Sequence, residues 1–433
     1  MTDDRPHLLP PDVHFLQPSL VAQVRRDYHR FAQSDWPAPI EDFLLDEYGL
    51  DVRATYAGLP LRNPWGLASG QLSMRVSQVE SAIASGVGLI VLKTVIAQDA
   101  QGGQSMSAWA VKQSRMVVEP IEGRRTKARG WTVTWKGRGW WDSFEAYLDL
   151  VRASARLGRD AGVVIAPSVK YHLPGPDEPG WRVGEYQTTT QQLLDAFGAG
   201  ESAAPMPIEK DFSPTLAGSD RAREHATTLR WLEDVPRLIR EAAGDRPVRV
   251  GLKLMNAVDD DAFQLAMLEQ VHKGNTPDFL IYANRLFDAR RSFEGQVGVA
   301  YGGPDLSDRN LRLLSAFRAR QARDEWCVPS LEISGTGDIH SGKMAVEYAL
   351  RGCTSVQIHT LFQLPSDEFD MKRGDKIRRA LHRLYFHPTE GLIVWLRFAA
   401  ERLGAVDDGI IRWLDIARLG ALGLERSFDP FAR

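Results

Sequence analysis

Cysteine is nearly absent from this chain of 433 residues, which contains only Cys327 and Cys353. Two cysteines cannot build a disulfide scaffold or a four-cysteine zinc or iron–sulfur site. The chain also lacks any run of about 18 apolar residues, the length that a membrane helix requires. Its polar start is not followed by the apolar run of a secretory signal. We therefore expect a cytoplasmic protein with no membrane partner, and no metal site is predicted.

Neither sign of charge dominates the chain. It has 53 lysine and arginine residues against 56 aspartate and glutamate residues, for a net charge of −3. This balance gives no reason to expect a nucleic-acid partner. Hydrophobic residues make up 43% and charged residues 25% of the chain, as in a soluble globular protein with a large core. The composition therefore excludes the disordered and fibrous classes for most of the length.

From about Asn63 onwards, short β-rich runs alternate with amphipathic stretches of helix length. The runs are apolar and β-branched, as in strands buried on both faces of a parallel sheet. Eight strands are predicted, at Trp65–Ser69, Leu89–Thr94, Val163–Val169, Pro207–Phe212, Val248–Leu254, Phe279–Asn284, Ser330–Gly335 and Ser355–Thr360. Helices are predicted at Val76–Ser85, Asp142–Leu157, Gln187–Phe197, Arg221–Ala243, Asp260–His272, Asp308–Arg323 and Gly342–Leu350. This alternation predicts an α/β fold, the (β/α)8 TIM barrel, with an open doubly wound sheet as the alternative.

Two further segments are expected to flank a barrel at 61–370. Residues 1–60 are broken by prolines and form an N-terminal extension, irregular to helical, with one or two helical turns at Glu41–Tyr48. Residues 371–433 form a C-terminal helical tail that covers the barrel floor or makes an oligomer contact, such as that of a homodimer. Its amphipathic stretches are Ile377–Phe386, Leu392–Leu403 and Ile410–Leu419.

A long insertion at 97–141 separates the second and third predicted strands. It is rich in basic residues and tryptophan, which are Arg124, Arg125, Lys127, Arg129, Lys136, Arg138, Trp131, Trp135, Trp140 and Trp141. One interpretation is a β-hairpin whose tryptophans pack and whose arginines are solvated. The others are a lid over an active site and a surface for nucleic acid.

The chemistry of a barrel lies where its strands end. Gly335-Thr336-Gly337-Asp338 follows the seventh strand and leads into a helix, a pattern that exposes backbone N–H groups to an anion such as phosphate. Lys93 and Lys253 lie near the ends of apolar strands, where a lysine is costly unless an anion meets it. Asp211 and Ser213 close the fourth strand. They could relay a proton or form an ordinary turn before Pro214.

Several of these motifs occur in an order that resembles a known family. They begin with Asn63-Pro64-Trp65-Gly66-Leu67-Ala68-Ser69-Gly70 and continue through 85–94, 251–254, 282–284, 298–303, 335–339 and 355–360. Over roughly 63–362 the chain resembles the dihydroorotate dehydrogenases and the flavin domain of dihydropyrimidine dehydrogenase. The resemblance implies an FMN-dependent oxidoreductase of pyrimidine metabolism. Such an enzyme transfers hydride between flavin N5 and a C–C bond next to a carbonyl in a small cyclic substrate.

The resemblance also implies roles for individual residues. It assigns FMN binding to Ala68, Ser69, Gly70, Lys93, Thr94, Lys253, Asn284, Gly303, Gly335, Thr336, Gly337 and Thr360. It assigns proton transfer to Ser213 with Asp211 as its helper, places Lys253 at the N1/O2 edge of the flavin, and assigns substrate contacts to Asn284 and Thr215. The electron donor or acceptor is not indicated.

The chain departs from the family pattern at the substrate and phosphate positions. Asp211 and Thr215 stand where the family has asparagine, so the substrate is expected to differ from orotate and to be cationic or larger. Asp338 replaces a glycine of the phosphate turn, and we expect it to turn toward the following helix or to pair with His359. Two alternatives stay open. One is a flavin barrel acting on tRNA, as in dihydrouridine synthases, and the other is a non-redox relative that binds a phosphate-bearing ligand.

Overall fold

The computed structural model describes residues 6–11, 13–110, 116–135, 139–175, 177–178, 180–198, 204–212, 224–256, 261–274, 276–293, 295–323 and 331–423. Within these ranges the chain forms thirteen α-helices and eighteen β-strands. None of the helices in the described ranges combines the length and the apolar character needed to cross a membrane. The predicted class, α/β, is confirmed.

The helices are α1 (Pro18–Gln33), α2 (Ile40–Tyr48), α3 (Val76–Ser85), α4 (Phe144–Ala161), α5 (Val183–Phe197), α6 (His225–Ala243), α7 (Asp261–Gly274), α8 (Pro304–Arg323), α9 (Gly342–Ala349), α10 (Thr360–Gln363), α11 (Lys376–Phe386), α12 (Leu392–Leu403) and α13 (Trp413–Ala421). The strands are β1 (Leu50–Asp51), β2 (Ala54–Tyr56), β3 (Leu59–Leu61), β4 (Trp65–Leu67), β5 (Leu89–Val91), β6 (Val95–Ile96), β7 (Met116–Glu122), β8 (Arg129–Trp135), β9 (Val164–Ala166), β10 (Ser168–Lys170), β11 (Met206–Asp211), β12 (Val248–Met255), β13 (Phe279–Asn284), β14 (Leu286–Phe293), β15 (Gln296–Tyr301), β16 (Glu332–Thr336), β17 (Cys353–Ile358) and β18 (Ile411–Arg412).

Ten strands form one parallel sheet in the order β6-β10-β11-β12-β13-β16-β17-β4-β5-β9. This sheet is curled in a way that is consistent with a TIM-like barrel. Side chains of β11 and β17 demonstrate the curl, because Glu209 accepts a hydrogen bond from Gln357 although three strands stand between them in the order. The strands at the two ends of this order come from the same two stretches of the chain. Strands β5 and β6 are separated only by residues 92–94, and β9 and β10 only by Pro167.

Each predicted strand corresponds to an observed one, with small shifts at the ends. Phe279–Asn284 is a strand over the predicted bounds, and Val76–Ser85 is a helix over the predicted bounds. The third predicted strand is divided at Pro167, because proline has no N–H to donate to the sheet. The apolar, β-branched runs of the sequence were therefore sufficient to locate the strands of the sheet.

The N-terminal segment is more regular than the sequence indicates. Residues Pro18–Gln33 form a helix of 16 residues, α1, whose first residue is a proline. Proline is well tolerated at the first position of a helix, because its missing N–H would have no partner there. Helix α1 contacts α11 and α12, and Leu50 of β1 pairs with Ile411 of β18. The N-terminal segment and the C-terminal helical segment therefore pack against each other.

The first described residues are held on α9 by a buried carboxylate. Glu347 accepts hydrogen bonds from the backbone N–H groups of Leu8 at 3.0 Å and Leu9 at 2.8 Å. Its other partners are Arg351 at 2.7 Å and the His7 ring at 3.7 Å. Burial alone would raise the pKa of Glu347, but the bond to His7 and the charge of Arg351 outweigh it and lower the pKa to about 2. The carboxylate is therefore charged and fully partnered at neutral pH.

The insertion and a second segment form antiparallel hairpins. Strands β7 and β8 pair from Met116↔Trp135 to Glu122↔Arg129, so the insertion contains a β-hairpin. This hairpin lies on the start of α8, where a Cβ at Gly130 would come within 2.7 Å of Pro304. Strands β14 and β15 form a second hairpin that was not predicted. Its first strand is polar and partly exposed, and therefore lacks the apolar signal of the sheet strands.

Replacing Glu347 by Gln should lower the free energy of unfolding by about 3 kcal/mol, because Arg351 would remain buried without its carboxylate. The wild-type contribution should be present above the ordinary glutamate pKa of 4.5 and be lost as the pH falls toward about 2. Urea unfolding at several pH values measures both effects. The exposed Glu80 provides the control, since Glu80→Gln should change stability by less than about 0.5 kcal/mol. An equally small effect of Glu347→Gln would contradict the assigned role.

Candidate active site

A cavity of about 770 Å³, including the part open to solvent, lies at the carboxyl edge of the sheet. Its walls come from the ends of five sheet strands, from the segment after β15 and from the hairpin β7–β8. The carboxyl ends of parallel strands meet at one edge, and ligand sites of α/β folds are found there. The lining residues are Ala68, Ser69, Trp131, Val133, Lys253, Asn284, Arg285, Gly302, Gly303, Leu306, Thr336, Gly337, Asp338, Ile339, His340, Gln357, Ile358, His359, Thr360, Leu361 and Leu364.

Eight of the residues assigned by resemblance line this cavity. They are Ala68, Ser69, Lys253, Asn284, Gly303, Thr336, Gly337 and Thr360. Thr94 lies directly behind the wall, where its hydroxyl is 2.9 Å from that of Ser69. Gly70 packs against His359, since a Cβ at Gly70 would come within 2.2 Å of the His359 ring. Ser213 and Thr215 fall outside the described residues.

Lys253 is held by a buried polar cluster beneath the cavity. Its ammonium group donates to Oε1 of Gln357 at 3.1 Å and lies 3.6 Å from Oε2 of Glu209. Glu209 also accepts hydrogen bonds from the Tyr56 hydroxyl and from the Gln357 amide. Removing either charge would leave the other buried without compensation, which costs several kcal/mol. The cluster therefore fixes the position of the lysine that faces the cavity.

Lys93 lies between β5 and β6, near the end of the second predicted strand, and its side chain is buried, with 2% of the residue exposed. Burial lowers its pKa to about 8 from the ordinary 10.5, and the positive charges of Lys170 and Arg285 act in the same direction. Asp211 opposes these effects but does not cancel them. Below about pH 8 the ammonium is charged, and above it the positive charge beside the cavity is lost.

Asp211 is engaged by a lysine of the neighbouring strand. Its carboxylate accepts a hydrogen bond from the ammonium of Lys170 at 2.8 Å, and both side chains are nearly buried. The negative charge of Asp211 therefore has a cationic partner within the protein. The same pair holds Asp211 at the end of β11, two residues before the predicted Ser213.

The glycine turn after β16 is held in a conformation that other residues would strain. Gly337 has φ +110°, and a Cβ there would come within 2.8 Å of the Ala283 carbonyl and 2.7 Å of the Asn310 amide. That amide donates to the carbonyl oxygens of Ala283 and Thr336. Gly303, with φ +95°, lies on the cavity wall beside the hairpin residue Ile121. The two glycines thus leave backbone open to the cavity.

Gly335 has a different role in the same motif. A Cβ at Gly335 would come within 2.6 Å of the Tyr348 ring in α9, so its lack of a side chain serves the packing of strand against helix. Helix α9 begins directly after the turn, and the Ser341 hydroxyl caps it by accepting from the backbone N–H of Met344 at 3.1 Å. The turn therefore joins the cavity wall to a helix N-terminus, as the sequence indicates.

Asp338 lines the cavity, and its carboxylate contacts neighbouring side chains. With φ +52° it takes the left-handed conformation of a glycine, and its carboxylate lies 3.3 Å from the Ser307 hydroxyl and 3.4 Å from Nδ1 of His340. Burial lowers the pKa of His340, but the attraction and hydrogen bonding of Asp338 outweigh burial and raise it. Of the two expected arrangements, a turn toward the following helix or a pair with His359, the contact with His340 corresponds to the first, since His340 directly precedes the cap of that helix. The negative charge beside the turn is partly offset.

Sequence reasoning missed several residues of the wall, above all Arg285. Arg285 follows β13 with φ +50° and is 9% exposed. Its guanidinium donates to the carbonyl oxygens of Ala300, at 3.1 Å, and of Val133. These two hydrogen bonds orient the guanidinium beside the cavity. A basic residue directly after the strand-ending Asn284 was the available signal. Trp131 and Gln357 also reach the cavity and were not assigned to it.

Burial lowers the pKa of the neighbouring His359 to about 3, and the charges of Arg285, Lys93 and Lys253 add to this effect. The imidazole is therefore neutral, and the three cations share one electrostatic environment.

Comparison of the chain with protein-family models and with curated proteins gives no match. The geometry of the cavity and the sequence motifs are therefore the features that bear on function.

The ammonium of Lys93 should titrate near pH 8, and this can be measured by NMR of protein labelled with ¹³C at lysine Cε. Lys93→Gln should remove the signal and so assign it. Asp211→Asn should lower the pKa further, because the carboxylate stabilises the charged form. A Lys93 signal that titrates near 10.5 would show that the ammonium is solvated rather than buried.

Proposed function

We propose that this protein is an FMN-dependent oxidoreductase of the dihydroorotate dehydrogenase-like class, acting on a C–C bond next to a carbonyl in a small cyclic substrate. The observation that carries the proposal is the arrangement of Lys253, Gly303 and the Thr336-Gly337 turn around one cavity at the carboxyl edge of a parallel sheet. A lysine and two backbone-exposing glycine segments are what an anionic, ring-bearing cofactor requires of its site.

We also propose that the curled sheet is an eight-stranded (β/α)8 barrel. Strand pairing supports closure, because β5 pairs with β9 and β6 with β10 at the two ends of the order. If β5–β6 counts as one strand and β9–β10 as another, ten segments become eight strands and the two ends of the order coincide. Hydrogen bonds from Leu92 to Ala166 and from Ala97 to Lys170 support the continuity of this pairing.

The residues present fit FMN by the chemistry of the donor set. Gly303, Thr336, Gly337 and Thr360 would hold the phosphate and ribityl end, and Ala68, Ser69, Lys253 and Asn284 would contact the ring. When bound, FMN supplies two-electron hydride chemistry to a substrate beside it. Lys253 would provide the positive charge at the ring edge, at a position that Glu209 and Gln357 determine. Ser213 would move the proton of the substrate.

The charges of the cavity support an anionic rather than a cationic substrate. Arg285 and Lys253 line the wall, Lys93 lies close to both Arg285 and Asp211, and Asp211 is paired with Lys170. A carboxylate on the substrate would offset part of this positive charge. A guanidinium that is already oriented by two carbonyl groups is well suited to bind it.

The side-chain contacts of the insertion at 97–141 favour its role as a wall of the cavity over a role as a surface that binds tRNA. Trp131 faces the cavity, and Trp140 packs against the Tyr147 ring. Arg124 forms an ion pair with Asp288. These side chains already have partners within the protein, so the tRNA-modifying alternative gains no support from the described part of the hairpin.

Protein purified without added cofactor should carry FMN, seen in the visible spectrum and identified by mass. Gly337→Ala should weaken FMN binding by about tenfold or more, because the new methyl group would meet Ala283 and Asn310 at a positive φ. Gly162 is the matched control, since it has φ +65° and no atoms around its Cβ position. Gly162→Ala should cost about 1 kcal/mol of stability and leave the FMN dissociation constant unchanged. A colourless protein that does not take up FMN would refute the proposal.

Ser213→Ala should leave FMN bound and slow its reduction by substrate by about 100-fold or more, the usual contribution of a proton-transferring group. Stopped-flow absorbance with dihydroorotate and dihydrouracil as candidate reductants measures the rate. Ser213→Cys should retain activity, because a thiol can perform the same transfer. Unchanged reduction in Ser213→Ala would remove Ser213 from the mechanism.

Arg285→Gln should abolish a preference for ligands that carry a carboxylate. Uracil and orotate form a matched pair of probes that differ only in that group. We expect the FMN-loaded wild type to bind orotate about tenfold more tightly than uracil, whether or not orotate is turned over, and the variant to bind both alike. Titration of the flavin absorbance gives both constants. Equal binding by the wild type would show that Arg285 does not select the substrate.

A further inference from the structure

His340 lines the cavity, and no motif of the sequence assigns it a role. It lies in the turn after β16, two residues beyond Asp338 and directly before the residue that caps α9. Its side chain is 44% exposed, so a ligand in the cavity can reach the ring. His340 therefore shares the cavity with Thr336, Gly337 and Thr360, the residues proposed for the phosphate end of FMN.

One edge of the His340 ring is fixed by Asp338. Nδ1 lies 2.9 Å from the backbone carbonyl oxygen of Asp338 and 3.4 Å from its carboxylate. A carbonyl oxygen only accepts hydrogen bonds, so Nδ1 carries a proton and donates it. Within the described part of the chain, Nε2 at the outer end of the ring makes no hydrogen bond. The ring is thus oriented through one nitrogen, and the other is left to bind a ligand.

The carboxylates around His340 favour its charged form. Burial lowers the pKa of His340, but Asp338 in the same turn and Glu390 in the segment between α11 and α12 outweigh burial and raise it above the ordinary 6.5. In the imidazolium form Nε2 is a donor as well as Nδ1. A phosphate oxygen accepts such a charge-assisted hydrogen bond, which is about twice as strong as one between neutral groups.

Asp338 occupies a backbone conformation that glycine would adopt at lower cost. Its φ is +52°, in the left-handed region that side chains disfavour. Its carboxylate also accepts a hydrogen bond from the Ser307 hydroxyl of α8 at 3.3 Å, so it is held from a second element. A carboxylate in a turn that binds phosphate is repulsive by itself. Its contact with His340 gives this position a use, because it places an oriented cation in the same turn.

We propose that His340 binds the phosphate group of the ligand in the cavity through Nε2, and that Asp338 is the positioning residue that orients the ring. The ligand is FMN on the proposed function, and the inference rests on that function. It adds a charged side-chain contact to the backbone of the glycine turn. A phosphate monoester carries close to two negative charges at neutral pH, so a cationic donor strengthens its binding. The pair should therefore set the preference of the cavity for FMN over riboflavin.

FMN and riboflavin form a matched pair of probes, since only FMN carries the phosphate. Titration of the full-length protein, freed of bound flavin, by flavin fluorescence gives both dissociation constants. His340→Gln should weaken FMN binding about tenfold, the value of a charged hydrogen bond, and leave riboflavin binding within about twofold. His29 provides the control, because it is exposed on α1 and lies outside the lining. His29→Gln should change neither constant.

Replacing Asp338 by Gly separates positioning from repulsion. If Asp338 only repels the phosphate, Asp338→Gly should tighten FMN binding. If it positions His340, the variant should weaken FMN binding about threefold or more, and adding Asp338→Gly to His340→Gln should cause no further loss. Asp408 is the matched control, since it is exposed and has a similar φ of +47°. Asp408→Gly should leave the affinities for both flavins unchanged.

Tighter FMN binding by Asp338→Gly would overturn the inference and leave the proposed flavin site intact. So would equal FMN binding by His340→Gln and the wild type, or an equal loss of FMN and riboflavin affinity in that variant, because His340 would then not contact the phosphate. If neither flavin binds the wild type, the proposed function fails. NMR of the histidine rings during titration with inorganic phosphate then tests His340 alone. The expected result is a shift of the His340 signal without a shift of His29, and an unmoved His340 signal refutes the contact.

Discussion

The ion pair between Lys253 and Glu209 is the interaction on which the carboxyl edge of the sheet depends. Both side chains are buried, and an unpaired charge at this depth would cost several kcal/mol. Glu209 also binds Gln357 from β17 and Tyr56 from β2, so one carboxylate connects β11 to a distant strand of the same sheet and to a strand of the separate sheet β2–β3. The hydrogen bond from Gln357 to Glu209 spans three intervening strands and therefore requires a curled sheet, and this buried cluster sets the floor of the cavity.

Several cationic side chains lie close together above this floor. Lys93 and Arg285 lie close enough for Arg285 to lower the pKa of Lys93, and both lower that of His359. An interior that already holds a cluster of cations gains free energy when an anion enters it, because the anion offsets their mutual repulsion. The same physical reason thus favours a phosphate-bearing cofactor and an anionic substrate. Asp338 acts against it only in part, since His340 and Ser307 hold its carboxylate.

The local signals of the sequence located the sheet and much of the site. Apolar runs marked the strands, because both faces of a parallel sheet are covered. The glycine turn at Gly335-Thr336-Gly337 was evident because its role depends on backbone conformation. Helix α1 was missed because proline was interpreted as a helix breaker, whereas Pro18 begins the helix. The hairpin β14–β15 was missed because its first strand is polar and partly exposed.

The partners of the charged residues could not be predicted, because they are contacts between distant parts of the chain. Asp211 was visible as a carboxylate at the end of a strand, but its pairing with Lys170 follows from the register of β10 and β11. Arg285 reaches Val133 of the insertion, a residue more than a hundred positions away. The sequence therefore predicts which residue types stand at the edge of the sheet, and only the fold determines which charges remain for a ligand.

Arg285 couples the hairpin to the chemistry of the cavity. It donates to Val133 in β8 and to Ala300 in β15, and the Thr132 hydroxyl accepts the backbone N–H of Gly302 at 2.9 Å beside it. These bonds fix the hairpin β7–β8 as a wall and do not leave it as a detached flap. Because the residue that anchors the wall also supplies positive charge to the cavity, a ligand that binds Arg285 would change the support of Trp131 and Val133. On the proposed function, substrate selection and the shape of the entrance would thus be linked through one guanidinium group.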